Sequence, residues 1–373
     1  MKILFITPSL YIPGGVERVL TMKMNWLARH TDWDINVCLT DGMGKEPYYP
    51  LDHRIKVYNL NIGFEELWHL PFYRKVPVYL RKQRLYRKKL GALLETLRPD
   101  ITDSLLRREI NFLCSLRDGS AKVGELHVNR KNYRNFESHE TNFLKEAFSK
   151  MWMEMLLRQL KRLDRFVVLT QEDAENWPEV PHVEVIPNPV ERLASTPCHS
   201  ERKRVIAVGR YSYQKGFDLL IDVLNHMVEH KPALAAKCHL LLYGNIRNAN
   251  LLKQIAIPYT HLGKVPESQL NQLFSSSDVV LSTSRFETLP GTIIEGLASG
   301  CSAVAFDSGG QRDIIDHLES GYLARRYDVN DFVEGINWAV NTSAASREVL
   351  NSIMTKRFSA QEIAQKYIHL FEE

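Results

Sequence analysis

Carboxylates and cations with the reach to hold an anionic, hydroxyl-rich ligand stand where strand-like runs give way to helices. In SRFETLPGTIIEGLASG (284–300) a short helix is expected over 290–299, because Pro290 suits a first helical turn and Gly300 the position past a helix end. Glu287 then lies in the loop before the helix, with Thr288 and Leu289, and Glu295 lies within it. Two carboxylates so placed can divide a nucleotide sugar between them, one accepting from sugar hydroxyls and the other from ribose hydroxyls. The N–H groups of the helix start, with Thr288 and Leu289 beside them, can meet a diphosphate. A plainer alternative makes Glu295 a solvated helix residue and Glu287 an N-terminal cap.

A second constellation lies in VGRYSYQKGFDLL (208–220), where Arg210 and Lys215 flank a short loop after a strand. Two cations there can converge on an anion at the mouth of a sheet, although two solvated loop cations would read the same way. The third is SLYIPGGVERVL (9–20), in which Gly14 and Gly15 let the backbone approach a ligand closely at a helix start, or simply make a turn. The spacing is neither that of a P-loop nor G-x-G-x-x-G.

The elements that must hold these residues alternate as β-branched or apolar runs and helix-like stretches, the mark of βαβ units and parallel sheets. Strands are expected at 2–8, 35–40, 55–60, 101–106, 122–128, 166–170 and 183–187, then at 204–209, 239–244, 260–265, 278–283, 302–307 and 321–325. The polar segment between the two series lacks an apolar period, so a linker is expected at 191–203. The fold class expected is α/β: two doubly wound Rossmann-like domains facing a cleft, at 1–190 and 204–358. A C-terminal helix, 359–373, is expected to pack on either domain, with a return to the first the favoured arrangement. Ligands of such sheets bind beyond the carboxyl ends of the strands, where the three constellations stand.

At 373 residues the chain is long enough for two domains with separate cores. Five scattered cysteines with no C-x-x-C spacing suggest neither a zinc site nor a disulfide framework, and a reducing cytoplasm fits them. No run of 18 apolar residues or signal-like N-terminus stands out. The net charge of +4 is small for a nucleic-acid partner, and none is expected. It is uneven, however: residues 1–190 carry 29 Lys and Arg against 24 Asp and Glu, and the run 71–90 has eight basic residues and no acid. Within it Tyr79, Tyr86, Leu90, Leu93, Leu94 and Leu97 follow helical spacing, leaving Arg81, Lys82, Arg84, Arg87, Lys88 and Lys89 largely on other faces. Such a helix either packs on a core with a solvated basic face or meets anionic lipid. The segment 151–165 reads as a buried domain helix.

Glu287 and Glu295 with seven residues between them, V-G-R…K-G with Arg210 and Lys215, GGVER, VVLTQED (167–173), VIPNPV (185–190) and GCSAVAFDSGGQRDIIDH (300–317) followed by SGYLAR (320–325) occur in one order. In that order the chain resembles glycosyltransferase family 4, whose members have the GT-B fold. The resemblance implies retaining, metal-independent transfer of a sugar from a nucleoside diphosphate. By it, Arg210 and Lys215 hold the diphosphate, Glu287 binds the donor sugar, Glu295 the ribose, and Gly14 and Gly15 bring backbone N–H groups to the phosphates. It implies no cofactor beyond the nucleotide-sugar co-substrate and no metal. His127, at the end of KVGELHV, would contact the acceptor or the sugar, with Glu125, Arg130 and Asn132 nearby; imidazole is suited to proton relay near neutral pH. The sequence departs from the family at YGNIRNAN (243–250), where Asn245 and Arg247 replace a frequent Gly-Asp-Gly turn.

The resulting expectation is a hexose or N-acetylhexosamine transferred from a UDP-sugar to a lipid-linked glycan of a cell-surface polysaccharide. The enzyme would be cytoplasmic or peripheral on the inner face of the membrane, touching anionic lipid through 71–90. A GT-B sugar-nucleotide epimerase and a non-catalytic nucleotide-sugar-binding protein are the alternatives.

Overall fold

The computed structural model describes residues 1–130, 143–190, 202–244, 249–263, 267–341 and 347–373. Most of the expected linker, 191–201, lies outside them, as do Asn132, Asn245 and Arg247. The chain forms two compact units, the first comprising Met1–Leu169, Asp173–Pro189 and Ala364–Glu373, the second Thr170–Glu172 and Val190–Ile363.

The first unit holds strands β1 (Lys2–Thr7), β2 (Asp34–Leu39), β3 (Lys56–Asn59), β4 (Ile101–Ser104), β5 (Ala121–Leu126), β6 (Arg165–Val168) and β7 (Val183–Val185). The second holds β8 (Lys203–Val208), β9 (Cys238–Tyr243), β10 (Tyr259–Gly263), β11 (Val279–Ser282), β12 (Ser302–Phe306) and β13 (Gly321–Ala324). Every pairing between these strands is parallel, in the orders β3-β2-β1-β4-β5-β6-β7 and β10-β9-β8-β11-β12-β13. Helices cover both faces of a parallel sheet, so its strands are buried on both sides and read as near-continuous apolar runs. Ile3, Leu4, Phe5 and Ile6 accordingly lie fully or almost fully buried in β1. Strand order reverses between β1 and β4 and again between β8 and β11, and crevices open at such switch points.

The connecting helices among the described residues are α1 (Gly15–His30), α2 (Phe72–Leu97), α3 (Phe143–Leu160), α4 (Gln171–Glu175), α5 (Phe217–His230), α6 (Pro232–Lys237), α7 (Ala249–Leu252), α8 (Glu267–Ser275), α9 (Gly291–Ala298), α10 (Val329–Asn341), α11 (Arg347–Phe358) and α12 (Ala360–Glu372). In the second unit Val205, Leu240, Val279 and Val304 pack with α5 and α10 on one face of the sheet. Ile206, Val280, Ala303 and Ala305 pack with α9 and α11 on the other. The end of α12 packs in the first unit, with the Phe371 ring 6.4 Å from Phe5 and 6.2 Å from Trp33.

Three local expectations need correction. The strand expected over 101–106 stops at Ser104, whose Oγ takes the Leu106 N–H at 3.0 Å and donates to Glu109 Oε1 at 2.7 Å, while Leu106 turns to φ +46°. The segment 151–165 is not a buried helix: α3 ends at Leu160, and although Leu156 and Leu160 are buried, Met151 and Met155 are 52% and 54% exposed. In α2, Tyr86, Leu90 and Leu94 are fully buried against Leu4, Ile6 and Cys38. Each buried leucine contributes about 1.5–3 kcal/mol. Not all the cations of that helix face solvent, however. Lys82 and Lys89 fold back to donate to the Ile62 and Leu60 carbonyls, both at 2.6 Å. Arg81, Arg84, Arg87 and Lys88 remain exposed, beside exposed Tyr73, Val76 and Leu80.

Candidate active site

In the second unit the two loops at the switch point are stitched together. β8 ends at Val208 and the chain runs through Arg210 to Gly216, which starts α5 at φ +59°. A Cβ on Gly216 would lie 2.2 Å from the Thr283 carbonyl oxygen, so the left-handed turn and the close approach both require glycine. Thr283 Oγ1 donates to the Gly216 carbonyl at 2.8 Å, and Arg285 N–H to the Gln214 carbonyl at 2.7 Å.

These bonds bring Lys215 and Glu287, 72 residues apart, into direct contact. Lys215 Nζ lies 2.5 Å from Glu287 Oε1, and Ser284 Oγ donates to the same oxygen at 2.8 Å. Glu287 is 7% exposed. Its Oε2 has no hydrogen-bond partner among the described residues and is the acceptor left for a ligand hydroxyl. Glu287 is also held from behind: Gly310 N–H donates to its carbonyl at 3.1 Å, and Gly309 forms a parallel bridge to it.

Helix α9 begins at Gly291, with Pro290 as N-cap rather than in the first turn, and no side chain caps it. Its first N–H groups therefore remain available to an anion. Thr288 and Leu289 are half-buried in the preceding loop, and Glu295 is half-buried in the second turn. Arg210 is exposed and makes no ion pair among the described residues. The structure thus brings Lys215 and Glu287 together while Arg210 stands on the loop surface.

Two contributors escape the sequence reading. Ser284, three residues before Glu287, anchors its carboxylate. Arg285 clamps the two loops: its guanidinium pairs with both oxygens of Asp218, donates to the Tyr213 carbonyl at 2.9 Å and lies 4.2 Å from the centre of the Tyr213 ring. The bond from Arg285 holds the Asp218 carboxyl below its usual range. Because that shift is downward, the clamp is complete at neutral pH and is lost as pH falls through the depressed titration. Arg285→Ala is expected to lower Tm, because the charge-assisted bonds it loses join the two loops, and to raise KM for a nucleotide sugar as those loops loosen. Steady-state kinetics and thermal unfolding check this.

In the first unit Gly14 is the extended N-cap of α1 and Gly15 its first residue. A Cβ on Gly15 would meet nothing within 4 Å, whereas one on Gly14 would meet the Glu17 carboxylate. An anion can therefore approach Gly15, but at Gly14 it must displace a carboxylate. His127 is almost buried, its Nε2 3.1 Å from Glu125 Oε2. Near the carboxyl ends of β1 and β4, residues including Ser9, Tyr11, Trp68, Arg107 and Val128 line a cavity of about 480 Å³, which the sequence did not single out. Tyr11 donates to Glu65 Oε2 at 2.5 Å, and that bond, with burial, pushes its hydroxyl up to about 12. The Arg107 guanidinium has no partner among the described residues. Carboxylates, an unpaired guanidinium and an exposed indole suit a polar, hydroxyl-bearing ligand.

Among the described residues no cluster of His, Cys, Asp and Glu could hold a metal ion, and no helix is long and apolar enough to cross a membrane.

Residues 193–357 match the family of glycosyl transferases group 1. This segment contains Arg210, Lys215, Glu287 and Glu295. The chain is 24% identical over 378 residues to an uncharacterized glycosyltransferase of Haemophilus influenzae, covering 98% of each chain. It is 26% identical over 338 residues to the amylovoran biosynthesis glycosyltransferase AmsD of Erwinia amylovora, covering 86% of this chain and 85% of AmsD. Among solved structures, an S. aureus TarM variant in complex with fondaparinux, alpha-GlcNAc-glycerol and UDP superposes with a TM-score of 0.73 at 16% identity, covering 100% of both chains. The two Rossmann-like units are those of the GT-B architecture, and the matches support a glycosyltransferase.

Proposed function

We propose that the protein is a retaining, metal-independent glycosyltransferase of family 4 that moves a hexose or N-acetylhexosamine from a UDP-sugar to a lipid-linked glycan in cell-surface polysaccharide synthesis. The observation that carries this reading is the Lys215–Glu287–Ser284 contact at the switch point of the second sheet, beside the uncapped start of α9. It sets a cation and a carboxylate with one free oxygen next to backbone N–H groups, as a sugar joined to a diphosphate requires. The UDP in the TarM complex and the amylovoran biosynthesis in the AmsD name favour this donor and this product class.

In this reading Arg210 and Lys215 stabilise the charge that develops on the departing diphosphate. Glu287 accepts from the sugar hydroxyls, Glu295 from the ribose, and Gly15 offers backbone N–H. The bond from the anomeric carbon to the diphosphate oxygen breaks as the acceptor oxygen bonds to that carbon on the same face, and the acceptor proton passes to the diphosphate. His127 contacts the acceptor or the sugar. The polar cavity beside Tyr11, Trp68 and Arg107 has the chemistry to take a hydroxyl-rich glycan acceptor.

Incubating the protein with a panel of nucleotide sugars and membrane lipid extract tests the reading. Lipid-dependent release of UDP with a glycosylated lipid is expected. An isomerised donor would make the protein an epimerase, and binding without turnover a nucleotide-sugar-binding protein.

The exposed basic face of α2 is the proposed contact with anionic lipid at the inner face of the membrane. Each basic residue near such a surface adds about 1 kcal/mol, so neutralising Arg81, Arg84 and Lys88 together should weaken vesicle partitioning roughly 100-fold. Sedimentation with phosphatidylserine-containing vesicles measures this; an unchanged bound fraction removes α2 from the membrane.

A further inference from the structure

Four chain segments place charged or titratable side chains around one buried point in the first unit. Lys23 comes from α1, Asp103 from β4, Glu125 from β5 and Tyr367 from α12. Lys23 is 3% exposed, Asp103 0% and Glu125 2%. Lys23 Nζ pairs with Asp103 Oδ2 at 3.2 Å and, more closely, with Glu125 Oε1. The Phe5 and Tyr367 rings cover the ammonium group, their centres 4.8 Å and 4.0 Å away. The other oxygen of Glu125 faces His127 Nε2 at 3.1 Å. His127 Nδ1 is buried and has no partner among the described residues. The guanidinium nearest in sequence, that of Arg130, is taken by Glu179 and the Asn176 carbonyl.

We propose that Lys23, Asp103 and Glu125 form a buried positioning device that holds the His127 ring with Nε2–H on Glu125 and Nδ1 bare, so that Nδ1 accepts a hydrogen bond from a ligand hydroxyl. The assignment of a ligand to Nδ1 rests on the glycosyl-transfer reading; the state of the ring does not.

Charge balance fixes the arrangement. Two buried carboxylates cannot both stay ionised against one ammonium at low cost, and Lys23 Nζ lies closer to Glu125 than to Asp103, so Asp103 is the one that keeps its proton. Burial and then the Glu125 charge push Asp103 well above the usual carboxylate range. Burial also works against the Glu125 charge, but Lys23 and the bonds from His127 and Asp103 outweigh it and hold Glu125 below its usual range. The ionised partner is then Glu125, the carboxylate that faces the imidazole. An ionised carboxylate can only accept, so Nε2 donates, and a proton on Nδ1 would be a buried donor without an acceptor among the described residues, so Nδ1 keeps its lone pair.

Removing Lys23 leaves the Glu125 charge unpaired. Either Glu125 takes a proton and donates to Nε2, which moves the ring proton to Nδ1, or the imidazole becomes an imidazolium. Nδ1 is protonated in both cases. Nitrogen-15 NMR of the full chain without substrate reads this directly, with the His127 signals assigned by their absence in His127→Gln. We expect a protonated Nε2 and a bare Nδ1 in the natural protein, the same pattern in Asp103→Asn, and a protonated Nδ1 in most molecules of Lys23→Met. Should Lys23→Met fail to fold, Asp103→Asn decides, since an amide can replace a protonated carboxyl but not a carboxylate. A protonated Nδ1 in the natural protein or in Asp103→Asn overturns the proposal, as does a bare Nδ1 in folded Lys23→Met. Titration with UDP-glucose and with UDP-N-acetylglucosamine tests the ligand assignment separately. A shift of the Nδ1 signal supports it, and no shift at saturation overturns that assignment while leaving the ring state standing.

Discussion

Lys215→Ala is expected to lower kcat/KM for the nucleotide sugar about 100- to 1,000-fold, the range for losing one preorganised group that stabilises developing charge. The loss has two parts. On the proposed donor reading the diphosphate loses its cation, and Glu287, 7% exposed and paired with Lys215, is left as an unneutralised carboxylate facing an anionic ligand. The second part makes the defect larger than a missing contact and gives it a signature. Neutralising Glu287 as well should recover some donor affinity, so Lys215→Ala/Glu287→Gln should bind the donor better than Lys215→Ala alone. Calorimetric binding of UDP-glucose and steady-state kinetics on the three variants complete a double-mutant cycle. A fall below threefold in Lys215→Ala, or losses that simply add, would remove the pair from the donor site.

The parallel sheets were legible because buried strands have no polar face, so runs such as ILFI and VVL stand out from their surroundings. The apolar stripe of α2 was legible for a similar reason: Tyr86, Leu90 and Leu94 recur every four residues and all are fully buried. The Lys215–Glu287 contact cannot be read from the sequence, since periodicity says nothing of two long side chains 72 residues apart, and taken singly each points to a ligand rather than to the other. Arg285 was missed because a lone arginine beside an acidic loop residue reads as solvated. The buried charges left a fainter trace. Asp103 and Glu125 sit within expected strands, where an acid contradicts burial on both faces and asks for a partner. The partner, Lys23, lies on the face of α1 that also buries Leu20, Met24 and Leu27. α3 was misread for the converse reason, because a methionine-rich run resembles core whether or not anything covers Met151 and Met155.

The second large effect is steric and lies behind the site. A Cβ on Gly310 would stand 1.8 Å from the Thr288 carbonyl oxygen and 2.9 Å from its carbon, and backbone cannot swing aside as a side-chain tip can. Gly309, at φ +149°, is equally constrained, its Cβ position 2.3 Å from the Glu287 carbonyl oxygen. The Gly309–Gly310 pair therefore lets one strand-end loop lie directly against the loop that carries Glu287, Thr288 and Leu289. Gly310→Ala must push that loop away by about 1 Å or more, and a misplacement of this size can cost about 100-fold in rate. Overpacking of this kind costs about 1–3 kcal/mol in stability, so the protein should still fold. We expect kcat/KM for the nucleotide sugar to fall about 100-fold with a modest decrease in Tm. Vesicle binding should not change, because the α2 surface belongs to the other unit. Full activity in Gly310→Ala would mean that the position of the Thr288 loop does not matter to turnover, and the catalytic assignment of Glu287, which rides on that loop, would fall with it.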